Sequence, residues 1–550
     1  MFGEERPSGI NKSEVYSMKT TSTTPRSSPE LLPSILRITC IALLGFMLCP
    51  KVTHAQSGVP AWTNLYNGPA TNDDRAFGVA VDANNSVYVV GSSRNGSSST
   101  GDYATIKYSS AGMPLWTNFY DGPGNSFDTA NAVAVGTSNN VYVTGGSYGG
   151  AGGSTVDFAT IKYSSAGVPL WTNRYNGPGN GSDSGAALAV DTNDDVYVTG
   201  SAANGGTLDF ATIKYSSAGM PLWTNLYGGP GGANDNPVAV KLDKSNNVYV
   251  AGVSAGLGTG NDYATVKYSS AGVPLWTNRF NGAANSTDQL TGAAVDGSGN
   301  VFVTGYSYSG VSYDYVTIKY SSAGVPLWTN YFDGPANNTD LAKALTLDAN
   351  TNVYVTGRSA GASGFGDYAT IKYSSAGVPL WTNRFSGSGN FDDDPSALAV
   401  DGDNNVFVTG GSPVSGSVSD YATIAYSNAG APLWTNRYHG PGISTDKSTA
   451  IATDNNNNVY VTGNASTTTL GVNDIATIKY AALSGGAGPS PIPLNYFVGG
   501  NKIVLTWANG AFNLQSAPLG TGAYTNIPGA TSPYTNTFLD PQNYFRLKAN

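Results

Sequence analysis

The feature that most constrains this chain is a repeat whose two ends are out of phase. The segment Trp-Thr-Asn recurs at Trp62, Trp116, Trp171, Trp223, Trp276, Trp328, Trp381 and Trp434, at intervals of 52 to 55 residues. Two further segments recur with it, read as NVYVTG in Asn140–Gly145 and DYATIKY in Asp102–Tyr108. Each unit therefore offers four short strands: A (Ala186–Asp191 in one copy), B (Val196–Gly200), C (Phe210–Tyr215) and D (Pro221–Tyr227). Asp191–Asp195 reads as a tight turn between A and B, and Ser216–Gly219 as one between C and D. Four strands in about 53 residues match a propeller blade, and the 3.6-residue period of helical repeats is missing. The first WTN strand, Pro60–Tyr66, has no A, B or C before it, and the last unit has no WTN strand after Ile475–Tyr480. The orphan strand is expected to become strand D of the last blade, which closes the ring and removes the open sheet edges. The count is then eight blades.

Composition agrees with an all-β reading. Gly is 70 of 550 residues and charged residues make up 11%. Tyr, Val, Thr and Trp suit pleated surfaces, while Gly, Asn, Asp and Ser suit turns. The DFATIKYSSAGVPLWTNRY run of Asp157–Tyr175, followed by ALAVD and VYVTG in Ala187–Gly200, resembles the bacterial SBBP β-propeller repeat. The resemblance covers nearly all of Gly58–Tyr480 and implies a secreted or surface bacterial propeller. That family's name refers to seven blades, from which the count of eight departs. The resemblance brings no catalytic motif.

The flanks are different. Ile38–Leu48 is an apolar run too short to span a bilayer, preceded by Arg26 and Arg37. Residues 1–55 are read as a signal peptide cleaved near Ala55, giving a secreted or cell-surface protein without a membrane span. Cys40 and Cys49, His54, and every Glu (Glu4, Glu5, Glu14, Glu30) fall in that segment. The mature chain then has no thiol nucleophile or cysteine metal site, and its charge is 21 − 32 = −11. A balance this acidic argues against nucleic acid as a partner. Ser484–Pro493 reads as a Gly/Pro linker and 494–550 as a small β-module.

Aspartate recurs in three columns. One precedes strand A: Asp74, Asp128, Asp183, Asp235, Asp288, Asp340, Asp393 and Asp446. One opens strand C: Asp102, Asp157, Asp209, Asp262, Asp314, Asp367, Asp420 and Asp474. The third sits in the A–B turn: Asp82, Asp191, Asp243, Asp296, Asp348, Asp401 and Asp454, with Gly136 in its place once. Calcium is a possible ligand of such carboxylates. The simpler reading is that each Asp orders its own loop through backbone N–H groups. The Lys of ATIKY is expected to pair with Asp or to lay its stem on apolar surface. The Trp ring is expected to be mostly buried between blades.

No nucleophile–base–acid constellation is visible, so no catalytic residue is assigned. Residues that break the repeat mark where a site would show itself: Arg75, Arg94, Lys343, Arg358, His439 and Lys447. The variable D–A and B–C connections emerge on one face of a meander, and the short A–B and C–D turns on the other. The expected function is a non-catalytic extracellular binding or adhesion scaffold, a monomer presenting these loops to carbohydrate or another surface protein. The alternatives are a structural surface-layer protein and a secreted polysaccharide-active enzyme.

Overall fold

The computed structural model describes residues 58–482, except 71, 95–99, 150–154, 362–363, 389–390, 416–417 and 468–471, and the backbone of six strands within 495–549. The expected signal peptide and Gly/Pro linker lie outside the described residues. Strand β1 (Pro60–Tyr66) comes first, followed by blade 1: β2 (Arg75–Val81), β3 (Val87–Ser93), β4 (Asp102–Tyr108) and β5 (Pro114–Tyr120). Six more blades repeat that A–B–C–D order as four-stranded antiparallel sheets. Blade 8 contains Lys447–Thr453, Val459–Ser466 and Asn473–Tyr480, and β1 is its fourth strand. The register runs from Pro60 opposite Tyr480 to Tyr66 opposite Ile475. The ring thus has eight blades and closes with the N-terminal strand, as the phase of the repeat requires.

Strands B and C are buried on both faces because each sheet is sandwiched between neighbours, which is why VYV and ATI read as continuous apolar runs. Tyr88, Val90 and Tyr103 of blade 1 pack on Val141, Val143 and Ile161 of blade 2, and similar clusters fill the other interfaces. The A strands touch the A strands of both neighbours and form the inner ring. A bulge kinks each of them, for example between Ala76 and Gly78. The kink brings strand A so close to strand B that a Cβ on Gly91 would overlap the carbonyl oxygen of Arg75. This accounts for the invariant Gly of VYVTG. The Thr before it is buried and meets the Thr of ATI, as in Thr144 Oγ1 to Thr160 Oγ1 at 3.0 Å.

The WTN strands lie outermost. Trp116 is half-buried rather than fully buried, since one edge of strand D faces solvent. Its ring still sits between Tyr88 of its own blade and Tyr163 of the next, with centroids 6.0 and 6.1 Å away. Its Nε1 donates to the carbonyl of Ser165 in the next blade's C–D turn, at 3.2 Å. The Lys of ATIKY reaches the same turn: Lys107 lies 4.9 Å over the Tyr88 ring and donates to Ser165 O. Asn118 Nδ2 donates to Gly167 O at 2.7 Å. The same bond closes the ring, where Asn436 Nδ2 donates to Gly58 O at 3.0 Å. Gly58 has φ +67°, and its missing Cβ leaves room for the Trp434 ring.

The second unit is described by its backbone alone. Asn495–Gly499, Lys502–Thr506 and Tyr534–Thr537 form one three-stranded sheet, and Thr525–Asn526, Phe512–Ala517 and Tyr544–Ala549 another. Among the described residues no helix is long and apolar enough to cross a membrane.

Candidate functional site on the loop face

Each column of aspartates has its own physical task. The carboxylate before strand A accepts bonds from two loops at once. Asp128 takes the Gly122 N–H at 2.7 Å and the Tyr148 N–H at 2.8 Å, so it ties the D–A loop to the end of strand B. Asp183, Asp235 and Asp446 bond the corresponding pairs of N–H groups. Burial pushes the Asp128 and Asp183 carboxyls up, against these bonds. The A–B turn column acts on the opposite face. Asp82 Oδ1 accepts from the N–H groups of Asn84 and Ser86, and its Oδ2 from Tyr88 Oη. Where Gly136 replaces that Asp, Asp194 of the next blade supplies the oxygen, accepting from Thr137 N.

The column that opens strand C is treated differently from blade to blade. In blades 2, 4 and 6 it meets an arginine from strand D: Arg174–Asp157, Arg279–Asp262 and Arg384–Asp367, each at 2.9 Å. Arg174 also donates to Tyr120 Oη, Ser147 Oγ, Ser147 O and Tyr148 O. In blade 7 the partner is His439, whose Nδ1 lies 2.8 Å from Asp420, and this bond raises the imidazole pKa. In blade 3 Asn204 Nδ2 donates to Asp209. Sequence reasoning grouped these aspartates as one column and missed the arginines. The signal was the fourth residue of WTNx, which is Arg174, Arg279, Arg384 and Arg437 but Leu65, Phe119, Leu226 and Tyr331 elsewhere.

Apart from His439, the residues that break the repeat fall into two groups. Arg75 forms an exposed pair with Asp73 at 3.4 Å, and Arg94 serves Asp74 through its backbone N–H. Lys343, Arg358 and Lys447 come together on the loop face of blades 6 to 8. Lys447 Nζ is 2.6 Å from Asp394 Oδ2 and Lys343 Nζ is 3.5 Å from Asp394 Oδ1. Burial works against ionising Asp394, but the Lys447 bond and the Lys343 charge outweigh it and hold its pKa below the ordinary value. Beside them, Arg358 pairs with Asp392 at 2.7 Å. A cleft of about 390 Å³ opens here, lined among others by Phe365, Phe391, Asp394, Pro413 and Lys447. Phe365 and Phe391, with ring centroids 6.2 Å apart, come from a B–C loop and the following D–A loop. Neither these two nor Asp392 and Asp394 were singled out from sequence, although the Asp392–Asp394 run is a local departure from the repeat. Elsewhere polar side chains of the inner strands bond across the ring, and Lys241 on the A strand of blade 4 adds a charge. Asn131 donates to Gly185 O, Thr291 to Ala342 O and Thr449 to Ala76 O, each bond crossing to the next blade. The turn face of blades 6 to 8 carries a second cleft, of about 350 Å³, lined by Asp348, Asp401, Asp454 and neighbouring turn residues.

Eight four-stranded sheets in a ring closed by β1 make the protein a repeat-built β-propeller scaffold. No family model matches the chain. It is similar to the uncharacterized WD repeat-containing protein L264 of Acanthamoeba polyphaga mimivirus, 26% identical over 372 residues. That match covers 55% of this chain and 26% of the relative, so the chain spans about a quarter of the relative's length. Among solved structures it is similar to Sqt1 from Chaetomium thermophilum, with 10% identity, a TM-score of 0.48, and coverage of 76% of this chain and 100% of that one. It is also similar to a protein of unknown function from Dyadobacter fermentans, with 11% identity, a TM-score of 0.36, and coverage of 64% and 93%. At these scores the two likenesses assign no function, and the propeller rests on the strand pairing itself.

Proposed function

We propose that the protein is an exported, non-catalytic propeller that binds another surface protein or a carbohydrate through the loop face of blades 6 to 8. The observation that carries this reading is the cleft beside Phe365 and Phe391, where the repeat gives way to the Lys343–Asp394–Lys447 and Arg358–Asp392 pairs. A rigid ring with a local break in its loops is how a scaffold presents contact residues. Aromatic side chains offer apolar area, and the paired charges around them give orientation and selectivity. Asp394 is held ionised between two lysines, which suits a fixed charge rather than a proton donor. The SBBP resemblance and the apolar run Ile38–Leu48 support export, and the acidic charge of the mature chain disfavours nucleic acid.

The test is binding of the full chain to a polysaccharide array and to purified envelope proteins. Phe391→Ala and Lys447→Ala are compared with Met113→Ala, an exposed residue beside a C–D turn. Binding lost in the first two and kept in the third is expected. Loss in the turn variant alone, or unchanged binding in both cleft variants, would sink the assignment to the loop face.

A further inference from the structure

Blade 1 lacks the cation that blades 2, 4, 6 and 7 supply. At the strand D position of Arg174, Arg279 and Arg384 it has Phe119, and at the position of His439 it has Asp121. Asp102 is only 3% exposed, and among the described residues nothing donates a hydrogen bond or an ion pair to its carboxylate. Its oxygen lies within 4.8 Å of carboxylate oxygens of Asp121 and Asp128, and Asp121 is exposed. A buried carboxylate without a donor is costly, and two further carboxylates around it add repulsion. Blades 2, 4, 6 and 7 show the remedy at this very place, a positive group.

We propose that Asp102, Asp121 and Asp128 bind a calcium ion in blade 1, where the arginine of blades 2, 4 and 6 is replaced by Phe119. Three carboxylates with no nitrogen or sulfur ligand select a hard cation, and the irregular, solvent-open arrangement suits calcium better than the strict octahedron of magnesium. Asp121 leaves the site open to water, which completes the coordination. With few protein ligands the affinity falls in the weak class of extracellular modules, about 0.1–1 mM. Blade 5 has a similar trio, Asp314, Asp333 and Asp340, but there Ser312 Oγ already donates to Asp314 at 2.9 Å. In blade 7 the imidazole of His439 itself occupies the corresponding place between Asp420 and Asp446.

The experiment uses the full chain, with calcium followed by calorimetry and terbium by luminescence. Saturable binding and a calcium-dependent rise in melting temperature are expected. Asp121→Asn, a change at an exposed side chain, should weaken binding about tenfold by removing one of three charges. Phe119→Arg should abolish binding while the fold is kept, because it restores the arrangement of blade 2. Asp333→Asn should leave binding unchanged. No saturable binding by the unaltered chain, equal binding by Asp121→Asn, or loss in Asp333→Asn alone would each overturn the proposal.

Discussion

Blades 1 and 2 carry the same aspartate at the start of strand C and treat it in opposite ways. Asp157 is met by Arg174, whose fork also holds two backbone carbonyls, a serine and a tyrosine. Asp102 is more deeply buried, yet it faces Asp121 and Asp128 instead of a guanidinium. The strands around both are almost identical in sequence, so the difference isolates one interaction in a constant setting. It teaches that the repeat specifies where a charge is buried but not how that charge is balanced. The balancing group is the strand D arginine in blades 2, 4 and 6 but His439 in blade 7 and Asn204 in blade 3, so here the blades are free to diverge.

The largest effect should come from removing the balance where it exists. Arg174→Ala leaves Asp157 without its counter-charge and should cost about 3 kcal/mol, read from chemical unfolding. Adding Asp157→Asn to that variant should recover part of the loss; no recovery would mean the arginine matters for packing alone. Supplying the balance where it is missing should have a smaller and opposite effect. Phe119→Arg should stabilise the metal-free chain by about 1 kcal/mol, and destabilisation would show that the two blades differ in more than charge.

The smallest effect concerns blade 8, where Leu65 stands at the arginine position. Burial, followed by the charge of Asp74, raises Asp474 to about 6. A carboxyl raised above its unfolded value favours the fold while protonated, and that contribution fades as pH rises through the folded value. The melting temperature should therefore rise as pH is lowered from 7 to 5, and Asp474→Asn should reduce this rise. An identical pH profile in the variant would separate blade 8 from the comparison.

Most of the fold was legible in the sequence because each strand is written eight times. The missing WTN strand after Tyr480 alone implied the pairing of β1 with the last blade. The Arg174–Asp157 pair was harder to see. In the register Ala159 lies opposite Arg174, so Asp157 is a diagonal neighbour on the same face. That relation needs the register, and 17 residues of separation conceal it. The Lys343–Asp394–Lys447 group was harder still. Its members stand on the inner strands of three successive blades, and only the curvature of the ring brings them together. The half-exposed Trp residues follow from strand D being an outer edge, which identical spacing could not reveal.

The seam at blade 8 also decides how the ring responds to load. Pro60 lies opposite Tyr480, so the β1 end nearest Gly58 and the end of the last C strand leave the sheet side by side. Tension applied between Gly58 and Ala482 therefore peels the two strands apart one bond at a time, as a zipper opens, instead of shearing all the bonds together. Only the contacts of β1 resist, while the other seven sheets carry no force until it is free. The ring has a single defined place to part, and it lies at the joint between its first strand and its last.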